Sequence, residues 1–125
     1  MPFDLKSSQP GEISLQVATE TFGNVLVAHA PDELTTETLA PFVDALQTHM
    51  ENGQVNIVLQ MDCCELYDSE GLTALFDLKD ELRMGGGNLK FSGLNEPSQR
   101  IFEVTRLDKH FEVFDSVIDA VSSFQ

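Results

Sequence analysis

The sequence is poor in positive charge. Its 125 residues include 7 Lys and Arg against 21 Asp and Glu, which gives a formal net charge of -14 at pH 7. Such a chain repels phosphate backbones and anionic lipid surfaces, so we expect no direct nucleic-acid partner and no membrane insertion. Residues 1 to 78 carry 13 acids and one base, whereas residues 79 to 125 carry 8 acids and 6 bases. The acidic part is either a solvated face that maintains solubility or a surface that meets a basic partner.

Long apolar runs and a secretory leader are also lacking. The longest wholly apolar stretch is only a few residues, and Met1 to Lys6 shows no charged region followed by an apolar one. The two cysteines, Cys63 and Cys64, are adjacent, so they point to opposite sides of an extended backbone. We expect no disulfide between them, and these features favour a soluble protein of the reducing cytoplasm.

Signatures of catalysis and of metal binding are missing from the sequence. The three histidines lie far apart, and neither HExxH nor a glycine loop followed by Lys-Ser/Thr occurs. The run Gly85 to Gly87 follows a predicted helix, which indicates a helix end and not a phosphate cradle. No nucleophile has a base predictably near it. The sequence therefore predicts no enzyme, no metal site and no cofactor.

Hydrophobic periodicity predicts strands that alternate with helices. Residues 1 to 12 contain Ser, Pro and Gly without a period and are interpreted as a flexible extension, and one domain follows from 13 to 125. A hairpin of Ile13 to Val17 with Val25 to Ala28 opens this domain. The run Val55 to Met61 predicts a strand covered on both faces, at the centre of the sheet.

Four amphipathic helices complete the predicted domain. Their apolar faces comprise Leu39, Phe42, Val43, Leu46 and Met50, then Leu72, Leu75, Phe76, Leu78 and Leu82, then Ile101, Phe102 and Val104, and finally Val117, Ile118, Val121 and Phe124. With strands at Leu89 to Ser92 and Phe111 to Phe114, the order is β-β-α-β-α-β-α-β-α. This order predicts an α/β fold with a mixed, mainly parallel sheet. The predicted core includes Ile57, Leu59, Leu75, Phe76 and Phe102.

The segment between the central strand and the second helix has the composition of a helix start. Asp68 or Ser69 can cap the helix, and Glu70 favours the positive end of its dipole. Ser69 is also expected to be exposed at the carboxyl end of a strand, where loops of α/β proteins carry function. Spacing alone leaves both roles open for Ser69.

The same segment resembles a known family. Asp68-Ser69-Glu70-Gly71-Leu72 after an apolar strand is similar to the D-S-[ST]-G-[LI] signature of STAS domains. This is the fold of bacterial anti-sigma factor antagonists and of the cytoplasmic part of sulfate transporters. The stretch Pro97 to Phe111 is similar to the family's P-x-x-x-x-[IVL]-[FL] helix and the T-G-L-D-x-x-F that follows it. The resemblance runs from about Ile13 to Phe124.

The resemblance implies a role controlled by phosphorylation. In antagonists of this family, the serine that corresponds to Ser69 is phosphorylated by an anti-sigma factor that is also a serine kinase. The unphosphorylated antagonist binds the anti-sigma factor and frees the sigma factor, and a serine phosphatase reverses the switch. The partner surface expected from this resemblance comprises Asp32, Asp68, Glu70, Gly71, Leu72, Lys79 and Arg83.

Three positions depart from the family pattern. Glu70 replaces the second hydroxyl residue of the signature and puts a fixed negative charge beside Ser69. Ala30 to Leu34 replaces a G-x-[LI]-D motif, and Arg106 stands where the family usually has Gly. The alternative to the phosphorylation switch is a STAS module of a lipid-trafficking or signalling assembly that docks constitutively, with Ser69 only a helix cap.

Overall fold

Strands and helices alternate along the chain in the computed structural model, which describes residues 17 to 124. The elements are β1 (Thr19–Phe22), β2 (Val25–His29), β3 (Glu33–Leu34), α1 (Thr36–Glu51), β4 (Asn56–Gln60), β5 (Leu66–Tyr67), α2 (Ser69–Met84), β6 (Asn88–Ser92), α3 (Glu96–Val104), β7 (Glu112–Phe114) and α4 (Val117–Ser122). A short 3-10 helix, Leu107–Lys109, precedes β7.

One five-stranded sheet forms the centre, with the strand order β1-β2-β4-β6-β7. β1 runs antiparallel to β2, and the other three pairings are parallel. The middle strand, β4, is buried on both faces: Ile57 and Leu59 pack with residues of α1 and α2, while Val58 packs with Ala120 of α4. The predicted mixed, mainly parallel sheet with Val55 to Met61 at its centre is thus confirmed.

The opening hairpin differs from its prediction. The sequence predicts a turn from Thr21 to Asn24, but Thr21 and Phe22 pair with Leu26 and Val25 and so belong to β1. The turn is therefore only Gly23 and Asn24, because two residues suffice to connect antiparallel strands. Of the first strand predicted at residues 13 to 17, only Val17 lies inside the described part of the chain. The predicted extension, residues 1 to 12, lies outside it.

The core contains four of the five residues singled out from the sequence. Ile57, Leu59, Leu75 and Phe102 are buried, but the prediction for Phe76 is wrong, because 37% of its surface is exposed. The inward face of α2 is centred on Leu75, Leu78 and Leu82. Phe76 is rotated by about 100° from Leu75, which moves it to the edge of that face.

Two further apolar residues of the predicted helix faces are also exposed. Val104 and Ile118 keep 77% and 76% of their surface accessible. Val104 lies two residues after the buried Phe102 of α3, and Ile118 lies two residues before the buried Ala120 of α4. Two residues correspond to about 200° of helix rotation. Short helices that bury only one or two positions leave such residues on the opposite side.

A two-stranded sheet that the sequence pattern did not predict brings two helix starts together. β3 and β5 pair in parallel, with Glu33 opposite Leu66 and Leu34 opposite Tyr67. α1 begins two residues after β3, and α2 begins two residues after β5. The small sheet therefore places the N-termini of α1 and α2 side by side, at the carboxyl end of β4.

Candidate functional site

The carboxylate of Asp68 lies at the start of both helices. One oxygen, Oδ1, accepts a hydrogen bond from the Gly71 N–H at 2.8 Å and caps α2. The other oxygen, Oδ2, accepts from the Thr36 N–H at 2.8 Å and from the Thr36 hydroxyl at 3.0 Å. These hydrogen bonds hold the pKa of Asp68 below its ordinary value, and the bond from the Thr36 N–H has the largest effect on that pKa. Asp68 is therefore the ionised cap of α2 and also binds the first residue of α1.

Ser69 is the first residue of α2 and is exposed. Because Asp68 occupies the N-cap position, capping does not use the Ser69 hydroxyl. No hydrogen bond of that hydroxyl is found within residues 17 to 124. The helix cap is therefore Asp68 and not Ser69. The Ser69 oxygen remains accessible beside the first backbone N–H groups of α2.

Gly71 allows α2 to begin directly against β3. It is buried, and a Cβ at this position would lie 2.0 Å from the backbone oxygen of Leu34. No side chain fits there, so Gly71 is required by the fold and presents nothing to a partner. Its neighbour Leu72 is half-buried and packs on the main core.

A buried polar network supports the loop before Ser69. The Ser98 hydroxyl donates to the Cys64 carbonyl at 2.8 Å, and the Tyr67 hydroxyl lies 2.6 Å from the Ser98 oxygen. Since Ser98 has only one hydroxyl proton, Tyr67 is the donor of this second hydrogen bond. Asn95, the cap of α3, donates to the carbonyls of Asp62 and Cys64 at 3.0 Å each. Burial raises the pKa of Tyr67 and keeps it a neutral donor. The loop is thus fixed to the start of α3, a contact that the sequence pattern did not reveal.

The exposed surface of α2 carries a stripe that begins at Ser69. Residues at a spacing of seven lie two helical turns apart on nearly the same line, which aligns Ser69 with Phe76 and Arg83. All three are exposed. The Phe76 ring lies 5.5 Å from the His110 ring and 5.2 Å from the Phe111 ring, measured between centroids. We call Ser69, Phe76 and Arg83 the switch stripe.

The two predicted basic residues of α2 lie away from Ser69. Lys79 and Arg83 follow it by about 15 and 21 Å along the helix axis. The Lys79 ammonium donates to the His110 carbonyl and lies 4.9 Å from the centroid of the Phe111 ring, so it packs toward β7. Arg83 is in the last turn of α2. Neither base neutralises the acidic residues around Ser69.

The remaining predicted site residues surround the two helix starts. Asp32 is exposed, and its carbonyl accepts the Glu65 N–H at 2.9 Å, which holds the loop after β2 against the loop before β5. Glu70 is exposed and faces α1 across a groove that also includes Thr36. The predicted residues therefore do not form one surface: Arg83 lies on the switch stripe, Glu70 faces α1, and Lys79 packs toward β7.

The cysteines and other metal-binding side chains are not grouped into a site. Cys63 is exposed and Cys64 is buried, and both thiols are free. Burial is the largest cause of the raised pKa of Cys64, which makes its thiol a weak nucleophile. Within residues 17 to 124, no three His, Cys, Asp or Glu side chains are close enough to hold a metal ion. In the same part of the chain, no helix has the length and apolar character needed to cross a membrane.

The family of the chain follows from a comparison with protein-family models. The STAS domain model matches residues 16–120, which cover most of the sequence, the first three helices and the start of α4. The β3–α1 and β5–α2 junctions, with the serine-bearing turn at the start of α2, lie inside the match. The chain belongs to the STAS domain family.

Solved structures with the same fold include anti-sigma factor antagonists. The Thermotoga maritima protein TM1081 is 20% identical with a TM-score of 0.77, over 86% of this chain and 92% of that one. An anti-sigma factor antagonist from Mycobacterium paratuberculosis is 21% identical with a TM-score of 0.74, over 86% and 92%. The unphosphorylated anti-sigma factor antagonist SpoIIAA is 14% identical with a TM-score of 0.73, over 87% and 96%. At these identities the likeness shows the fold.

Proposed function

We propose that the protein is a non-enzymatic, cytoplasmic anti-sigma factor antagonist that is switched by phosphorylation of Ser69. Its partners in this proposal are an anti-sigma factor that is also a serine kinase and a serine phosphatase. The observation that carries the proposal is the position of Ser69, exposed at the first residue of α2 and directly after the capping Asp68. This position is also the one that the family signature gives to the phosphorylated serine.

Structural neighbours support a phosphorylated state of this fold. Besides the unphosphorylated form, the Bacillus cell fate determinant SpoIIAA has been solved in its phosphorylated form, which matches 88% of this chain with a TM-score of 0.67 and 14% identity. Both forms of that protein thus share the fold of this chain. We infer that a phosphate on Ser69 likewise leaves the fold unchanged.

The start of α2 can accept a phosphate without unfolding. A phosphoserine carries a charge of about -1.5 to -2 at pH 7, and backbone N–H groups at a helix N-terminus favour negative charge. Ser69 is exposed, so no buried contact is lost. The effect of the modification therefore falls on binding and not on folding.

Phosphorylation concentrates negative charge where a partner is expected to bind. Asp68 and Glu70 flank Ser69, so a phosphate brings the total to about three or four negative charges on one turn. Next on the switch stripe is the partly apolar surface of Phe76. A partner that binds the unmodified stripe must then bury a charge that its interface did not have to pair, and an unpaired buried charge costs about 2 to 5 kcal/mol at an interface.

Mass spectrometry of the protein purified from its own cells tests the acceptor. We expect a phosphate on Ser69 and none on the exposed Ser122 of α4, which serves as the internal control.

Incubation of the pure chain with ATP and magnesium alone is expected to leave Ser69 unmodified. Self-phosphorylation under those conditions would contradict the non-enzymatic role.

Constitutive docking is the second candidate function, and one observation favours it. Glu70 holds a permanent negative charge in the turn, so part of the charge that a phosphate would bring is already present. If Ser69 carries no phosphate under any growth condition, the chain is a STAS docking module of a lipid-trafficking or signalling assembly.

A further inference from the structure

A groove between α1 and α2 lies beside the switch stripe and is separate from it. It is open on one side, has a volume of about 440 Å³, and has an apolar floor that includes Leu39 and Val43 of α1. Thr36 lies at one end of the groove and Gln47 at the other. These two residues are eleven positions apart, so the groove extends for about 16 Å along α1.

The groove exists because α1 has more apolar positions than the sheet covers. Phe42 and Leu46 of α1 are buried against the sheet, whereas Leu39 and Val43 remain half-buried at the side that faces α2. The Gln47 amide donates to the Glu81 carboxylate at 3.4 Å and closes the far end. The side chains between these ends leave apolar surface accessible to a partner.

Acidic side chains border the apolar floor. Asp44 of α1 and Glu70 of α2 both line the groove. From residue 17 to residue 78 the chain contains 11 Asp and Glu but no Lys or Arg. The residues that line the groove likewise include no Lys or Arg. An apolar floor between carboxylates is complementary to a segment that has apolar side chains with basic residues on both sides.

We propose that this groove is a second docking surface, which binds a basic amphipathic helix of a partner protein. Apolar residues of that helix at i, i+3 or i+4, and i+7 lie on Leu39 and Val43, and its Arg or Lys side chains pair with Asp44 and Glu70. The length of the groove corresponds to about three turns of such a helix.

The groove and the switch stripe face different directions. Glu70 follows Ser69 in the sequence and is rotated from it by about 100° around α2. A helix bound in the groove therefore leaves the Ser69 hydroxyl accessible, and a phosphate on Ser69 attracts the cations of that helix. The second docking surface does not depend on the proposed phosphorylation switch.

The test is a titration of the full chain, followed by amide chemical shifts, with a synthetic peptide of about 14 residues that has leucines at i, i+4 and i+7 and arginines between them. We expect the shifts to concentrate at α1 and at the α1-facing side of α2. A matched peptide with glutamates in place of the arginines is expected not to bind. Equal binding of the two peptides would overturn the proposal.

Two variants of the groove and two controls locate the contact. Asp44→Lys is expected to weaken binding of the arginine peptide at least about tenfold, and Val43→Asn at least about fivefold. Glu103→Lys, the same charge change on α3 and away from the groove, is expected to change the affinity by less than about twofold. Ser69→Asp adds a negative charge beside Glu70 and is expected not to weaken binding of the arginine peptide.

Three outcomes contradict the second docking surface. An equal loss in Asp44→Lys and Glu103→Lys would mean that the peptide binds the overall charge of the protein. A loss in Ser69→Asp as large as that in Asp44→Lys would place the contact on the switch stripe. Concentration-dependent shifts of the same amides without peptide would show that a second copy of the chain occupies the groove.

Discussion

Asp68 and Thr36, which are 32 residues apart in the sequence, connect the starts of the two helices that border the site. The Asp68 carboxylate accepts both the backbone N–H and the hydroxyl of Thr36 while it caps α2. One side chain thus caps α2 and connects its start to the first residue of α1. The position of Ser69 depends on this contact, because Ser69 is the residue directly after Asp68.

Removal of the Asp68 carboxylate is expected to destabilise the protein in a pH-dependent way. The native pKa of Asp68 is lowered from its ordinary 3.8, so its stabilisation is present above about pH 4 and is lost as the pH falls through the native pKa. Urea unfolding of wild type and Asp68→Ala is expected to differ at pH 7 and to converge at low pH. Asp80→Ala, on the exposed side of α2, is the control. A constant difference at all pH values would contradict the role of the charge.

Gly71→Ala is expected to destabilise the protein by about 1 to 3 kcal/mol or more. The added Cβ would meet the Leu34 oxygen at 2.0 Å, so α2 must move away from β3. Gly85→Ala is the matched control: the nearest neighbour of its Cβ would be the Val55 side chain, at 3.3 Å, and its φ of -89° suits alanine. Denaturant unfolding measures both. Equal stability of the two variants would mean that α2 tolerates a side chain at its start.

The two phenylalanines Phe102 and Phe76 are expected to respond differently to truncation. Phe102 is 1% exposed and packs against the rings of Phe91 and Tyr67, so Phe102→Ala should cost about 3 to 5 kcal/mol. Phe76 is partly exposed on the switch stripe, and Phe76→Ala should cost less than about 1.5 kcal/mol while it weakens anti-sigma factor binding. If Phe76→Ala binds like the wild type, the partner does not cover this stripe.

The sequence predicted the main elements because their patterns are local. The continuous apolar run Val55 to Met61 predicted the central strand. The periodic apolar faces predicted the four helices. β3 and β5 were not predicted, since two residues have no period, and they exist only because the chain brings them side by side. The exposure of Phe76 depends on which face of α2 meets the sheet, which a helical period does not specify.

Part of the site could also be predicted from the sequence. The composition of the turn predicts a helix cap and an exposed Ser69, and the structure assigns the cap to Asp68. The contact with Thr36 and the hydrogen bond between Tyr67 and Ser98 join distant segments. No local pattern encodes such pairs, so they required the tertiary structure.

The most direct test of the central claim is calorimetric titration of the anti-sigma factor with wild type, Ser69→Asp and Ser69→Ala, with urea unfolding of each variant. We predict that Ser69→Asp weakens binding at least about tenfold while the unfolding free energy changes by less than about 1 kcal/mol. Ser69→Ala is predicted to keep the wild-type affinity and to lose the control by phosphorylation. Equal affinities of the wild-type and Asp forms would contradict the account, because they would show that a negative charge on this turn does not regulate binding.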